Sequence, residues 1–117
     1  MAEQARVLAE LMGWKLTADP YNHWKFILID HLGDMVIGGN DAEEVWEDIP
    51  VYDTDLNAMR EVWKVLKERG LWDSFMEAWF AQLPIMDSVE LWLYTFLNDL
   101  PGQVEAAIKV LEKGQGV

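Results

Sequence analysis

The sequence predicts a small layered domain of the α/β class, more narrowly α+β, with helices packed on a short antiparallel β-sheet. Three observations carry this reading. Apolar residues recur at helical spacing in several stretches bounded by glycine or proline. The aromatic and β-branched run Trp24–Ile29 has the composition of a strand. A turn then leads to a second short apolar run that can return antiparallel. With 117 residues, 51% of them apolar, the chain is sized for one domain spanning 1–117 and for a sizeable core.

Ala2–Met12 reads as the first helix: Ala5, Leu8, Leu11 and Met12 share a face, and Gly13 stands where a left-handed cap residue belongs. Trp14–Leu16 opens an extended stretch that Asp19-Pro20 interrupts as a turn. Trp24–Ile29 is the strand, Leu32-Gly33-Asp34 the turn, Met35–Ile37 the return, and Gly38-Gly39-Asn40 the end of the hairpin. Asp41–Val51 reads as an acidic connector with one aromatic, Trp46. A helix over 54–69 follows, capped by Asp53 or Thr54, with carboxylates at the positive end of its dipole. Its stripe is Leu56, Met59, Val62, Trp63 and Leu66, and Gly70 closes it. The next helix, 73–83, takes Asp73 or Ser74 as cap, aligns Phe75, Trp79 and Leu83, and stops at Pro84. Val89–Leu97 is apolar at so many positions that buried helix and strand fit equally. Pro101 starts a last helix over 101–113, with Val104, Ala107, Ile108 and Leu111 on one face and Gly114 beyond it. The expected core includes Leu8, Ile27, Leu56, Met59, Trp63, Leu66, Ile108 and Leu111.

Composition excludes more chemistry than it suggests. Nine Lys and Arg against 21 Asp and Glu give a formal charge of −12, which opposes direct binding to nucleic acid or an anionic membrane. The absence of cysteine excludes disulfides, thiolate metal sites and thiol nucleophiles together. No apolar run nears the ~20 residues of a spanning helix. Residues 1–12 carry Glu3, Arg6 and Glu10, unlike a secretory signal, so a cytoplasmic protein is expected. His23 and His31 flank the strand, about 25 Å apart if it is extended, too far to act as a pair along it. Ser74 and Ser88 lack a nucleophile elbow, and Gly38-Gly39 lacks the helix lysine of a phosphate loop. Asp53 and Asp55 could hold a hard cation, but their place at a helix start explains them first. The expectation is a protein that is not an enzyme, with no metal site and no cofactor.

Leu11-Met12-Gly13-Trp14-Lys15 and Tyr52-Asp53-Thr54-Asp55-Leu56-Asn57-Ala58 stand in the order found in a family of small phage proteins. The chain resembles the phage ABA-sandwich family, where a helix running into Met-Gly-Trp precedes a Tyr/Ser-Thr-Asp-Leu/Ile-x-Ala helix start. Pro101–Leu111 is similar to that family's last, alanine-rich helix. The likeness covers roughly half the chain. Leu100-Pro101-Gly102-Gln103-Val104 departs from the family's Thr-Pro-x-Gln-Arg, so no role of that arginine carries over. The resemblance implies a small layered α/β domain of phage origin working in the host cytoplasm, and it implies no activity.

Charge distribution supplies the functional expectation. No Lys or Arg occurs between Phe26 and Met59, where Asp30, Asp34, Asp41, Glu43, Glu44, Glu47, Asp48, Asp53 and Asp55 all lie, nor between Gly70 and Ile108. A field of this kind steers basic partners, and a merely solubilising surface accounts for it equally well. Asp41, Glu43, Glu44, Trp46, Glu47 and Asp48 are the candidate partner-binding residues, Trp46 being either an interface anchor or a lid over the sheet. The expected function is a phage-encoded, non-enzymatic inhibitor of a host antiviral defence protein. Its acidic surface would occupy a basic nucleic-acid-binding site, such as that of a nuclease. Two alternatives stand beside it. One is sequestration of a nucleotide signal by Trp and Tyr stacking, with Arg6, Arg60 or Arg69 on the phosphate. The other is a structural or assembly protein that forms a homodimer through exposed apolar surface.

Overall fold

The computed structural model describes residues 2–84 and 88–115. Among them are helices α1 (Ala2–Met12), α2 (Ala42–Glu47), α3 (Leu56–Glu68), α4 (Trp72–Phe80), α5 (Val89–Asn98) and α6 (Leu100–Gln115). Strands β1 (Lys15–Ala18), β2 (Phe26–Ile29) and β3 (Met35–Gly39) form one antiparallel sheet. The fold is α+β, as the periodicities predict. The chain groups into two compact units, Met1–Pro50 and Val51–Val117. The first holds the sheet with α1 and α2, the second the other four helices.

In the first unit α1 ends in a Schellman turn. Gly13 takes φ +113°, its N–H donates to the Glu10 carbonyl at 3.1 Å, and Trp14 N–H reaches the Ala9 carbonyl at 3.0 Å. Strand β1 follows at once and pairs with β2, Leu16 opposite Leu28 and Thr17 opposite Ile27. The order β1-β2-β3 is a meander. Strand β2 begins at Phe26 rather than Trp24, because the Asp19 carboxylate gathers the preceding loop. It accepts the backbone N–H groups of Tyr21 at 2.9 Å, His23 at 2.9 Å and Trp24 at 3.0 Å. A tight loop at 30–34 returns the chain, with Asp30 Oδ1 accepting from the N–H of Leu32 and of Asp34. The register slips between Leu28 and Ile29, which face Ile37 and Met35, so Val36 is the extra residue of a bulge.

Strand β3 runs on through Gly38 and Gly39, which the sequence reading placed at the end of the hairpin. Gly38 faces Ile27 on one side of the sheet, and the Trp24 indole occupies the space its side chain would fill. Gly39 faces Phe26 on the other side, where a Cβ would lie 2.8 Å from Val45 Cγ2. Two adjacent glycines therefore let an indole and a helix approach opposite faces of one strand. The helix is α2, in the segment expected to be a connector. Asp41 caps it, accepting from Glu43 N–H at 3.0 Å, and it packs on β2 and β3. Ala42, Val45, Trp46 and Ile49 fall at helical spacing, which is why this acidic stretch coils instead of running extended.

In the second unit the cap of α3 is Asp55, not Asp53 or Thr54. Its carboxylate accepts from Asn57 N–H at 2.9 Å, after a turn in which the N–H groups of Thr54 and Asp55 both reach the Val51 carbonyl. Gly70, at φ +72°, closes α3 in a second Schellman turn: Leu71 N–H reaches the Leu66 carbonyl at 2.8 Å. That turn delivers the chain directly into α4, which starts at Trp72 with no side-chain cap, so neither Asp73 nor Ser74 serves. Phe75 and Trp79 are fully buried, while α4 stops at Phe80 and leaves Leu83 outside it. Residues 89–98 are a helix, α5, capped by Ser88 Oγ on Leu91 N–H. Helix α6 continues past Gly114 to Gln115. Of the expected core, Leu8, Ile27, Met59, Leu66 and Leu111 are buried. Trp63 and Ile108 are only half-buried, and Leu56 is exposed on the first turn of α3.

Candidate functional site

Asp41, Glu43, Glu44, Glu47 and Asp48 are all exposed. At 100° per residue, Glu43, Glu44, Glu47 and Asp48 span an arc of about 140° on α2. Val45 and Trp46 point the opposite way and are buried. The helix thus shows carboxylates outward from a side fixed against the sheet. Arg6 of α1 tempers one edge: its guanidinium bonds Glu10 at 2.9 Å, approaches Glu43 at 3.5 Å, and lies 4.8 Å from the Trp46 ring centroid. Glu10 first, then Glu43, holds Arg6 above its ordinary pKa.

Trp46 therefore does not stand at the edge of the acidic patch as an anchor for a partner. Only 8% of its surface is exposed. Its role is positional: with Val45 it seats α2, so the carboxylates sit on a packed helix and not on a loose connector.

A cleft of about 300 Å³ opens on the Gly38 side of the sheet, lined by Asp19, Tyr21, His23, Trp24, Met35 and Val36 among others. Tyr21 and Trp24 are exposed at 67% and 49%. Asp19 is buried beneath them. The amide N–H groups on its carboxylate, Tyr21 foremost, hold its pKa below the ordinary value although burial acts the other way. No Lys or Arg lines this cleft. In the second unit an open groove of about 560 Å³ between α4 and α6 carries Lys109 and Lys113 beside Ser74, Glu77, Ala78 and Ala81, with no aromatic residue in its lining. Of these two cavities, one carries aromatic faces and the other cations.

Four of the seven tryptophans build the interior of the second unit. Phe96 of α5 stacks on Trp63 at 4.8 Å and on Trp92 at 5.6 Å, and meets Trp79 edge-on at 5.4 Å and Trp72 at 6.4 Å. Two polar side chains serve the indoles. Gln103, fully buried, accepts from Trp63 Nε1 at 2.8 Å and donates to the Phe96 carbonyl. Asp99, between α5 and α6, accepts from Trp79 Nε1 at 2.9 Å and from Gly102 N–H at 3.2 Å. These four indoles pack against one another or against Phe96, Trp79 fully buried and the other three half-buried.

The rest of α5 is the surface that sequence reasoning missed. None of its residues is fully buried, and Val89, Leu91, Leu93, Tyr94 and Leu97 are exposed at 75%, 48%, 48%, 67% and 50%. Its apolar residues occur on every side of the helix, so no stripe in the sequence marks which of them face water.

His23 lines the cleft and His31 lies in the 30–34 loop, on separate loops flanking β2. Among the described residues no three His, Asp or Glu side chains converge as metal ligands would, and no helix is long and apolar enough to cross a membrane. Comparison with family models, curated proteins and solved structures finds no match for the chain.

Proposed function

We propose that the chain is a non-enzymatic binding protein whose α2 face occupies a basic surface on another protein, of the kind that otherwise binds nucleic acid. One observation carries the reading: Glu43, Glu44 and Glu47 on a six-residue helix, and its caps Asp41 and Asp48, are all exposed, with Val45 and Trp46 buried beneath. A rigid array of carboxylates imitates the spaced charges of a phosphate backbone and loses little entropy on docking. Inhibition of a host defence nuclease by a phage protein is the finer form of this proposal. Neither the cleft on the sheet nor the groove between α4 and α6 combines aromatic faces with Lys or Arg, which weighs against nucleotide sequestration.

The test is displacement of labelled duplex DNA from a basic DNA-binding domain, followed by fluorescence anisotropy. The chain should release the DNA at low salt and lose this capacity as salt rises, since exposed charges are screened beyond roughly 8 Å at physiological ionic strength. Glu44→Lys with Glu47→Lys should cut the association rate about tenfold and change dissociation less. Failure to displace at low salt, or displacement indifferent to these reversals, refutes the reading.

A further inference from the structure

We propose that two copies of the chain pair through α5, across a two-fold axis. This goes beyond the acidic-face reading and does not depend on it. Val89, Leu93 and Leu97 follow one another at four-residue intervals, forming a ridge about 12 Å long at 1.5 Å per residue. Tyr94 lies beside it, and these four side chains are exposed; Leu91, also exposed, falls on the far side of the helix. Trp92 and Phe96 lie on the adjoining side of the helix and fix it in the aromatic interior.

A second copy is the occupant that fits this face. Helix α5 carries a single charge, Glu90, and no Lys or Arg, so neither a basic nor an acidic partner gains ion pairs from it. Another α5 brings the same ridge, and ridges of this spacing interlock when two helices cross. The four side chains of this face, exposed by half to three-quarters, offer on the order of 450 Å² per copy. Two facing copies then bury about 900 Å², the size of a weak, concentration-dependent pair. The net charge of −12 opposes pairing elsewhere, while α5 is a nearly neutral island. Salt should therefore tighten the dimer, opposite in sign to its effect on docking through α2. The two proposals can fail separately.

The test is analytical ultracentrifugation of the full chain from low micromolar to near-millimolar concentration, at low and high salt. The mass should rise from 13.5 kDa toward twice that value, at roughly tenfold lower concentration in high salt. Leu93→Glu and Leu97→Glu, both at exposed positions, should weaken pairing at least about tenfold. A second variant guards against misfolding of these. The chain has no cysteine, so Leu93→Cys treated with diamide should form a disulfide-linked dimer much faster than Glu112→Cys, placed on the exposed side of α6. A chain that stays monomeric at high salt overturns the proposal, even if its α5 face binds another protein. A dimer insensitive to both glutamates and to the site of the cysteine overturns it too.

Discussion

Replacing glycine by alanine inside a helix ordinarily stabilises it, by up to about 1 kcal/mol. Gly102, in the first turn of α6, should reverse that sign. A Cβ there would lie 2.8 Å from Asp99 Cγ and closer still to Oδ2. Oδ2 is the oxygen that accepts the indole N–H of Trp79, whose side chain is fully buried. Asp99 cannot yield without abandoning that donor, and a buried donor left without a partner costs about 1–3 kcal/mol. Offset by the gain in helix propensity, Gly102→Ala should destabilise by about 1–2 kcal/mol, read from the urea midpoint of tryptophan fluorescence. Asp99→Ala removes both the carboxylate and the collision. In that background Gly102→Ala should stabilise by about 0.5–1 kcal/mol, a coupling of about 2 kcal/mol between the two sites. If Gly102→Ala stabilises the otherwise unchanged protein, or the two substitutions simply add, the packing reasoning at this junction is wrong.

Two further outcomes test the local geometry. Asp55→Ala removes the cap of α3 and should cost about 0.5–2 kcal/mol in the same denaturation assay; no loss would show that another residue of Asp53–Asp55 caps the helix. Asp19→Asn should lower the thermal midpoint near neutral pH, since its amide nitrogen must face a backbone N–H on one side of the loop. The folded-state pKa of Asp19 is depressed, so its contribution is present above the unfolded value of about 3.9 and is lost as pH falls through the lower folded one. The two proteins should therefore converge in acid. A gap that stays constant from about pH 7 to about pH 3 would refute the linkage.

Where the sequence carries a strong period or a glycine cap, the structure follows it. Leu8, Leu11 and Met12 before Gly13, and Met59, Val62 and Leu66 before Gly70, are α1 and α3 with their Schellman turns. The failures have physical causes. In α2 the pattern Ala42, Val45, Trp46, Ile49 was present, but its four apolar positions lie among five carboxylates and propensity alone says little over six residues. In α5 the apolar positions outnumber what any one face can hold, so periodicity vanished and the exposed ridge was hidden by the same excess that creates it. The candidate carboxylates were legible as a charge run. The inward side of Trp46 was not, because its direction depends on the helix that contains it.

The packing of Phe80, Trp79, Trp92 and Phe96 also gives the second unit an optical identity. Trp79 and Trp92 meet edge-on at 6.3 Å, and Trp92 stacks with Phe80 at 5.9 Å. Chromophores this close in a chiral arrangement couple their transitions, so their near-ultraviolet circular dichroism belongs to the assembled cluster more than to any single ring. Loosening α5 from α4 would erase that signal while leaving every helix, and hence the far-ultraviolet spectrum, intact. Secondary structure and side-chain order in this unit therefore have separate spectroscopic signatures. An intermediate with helices formed and rings unlocked would be visible without any added label.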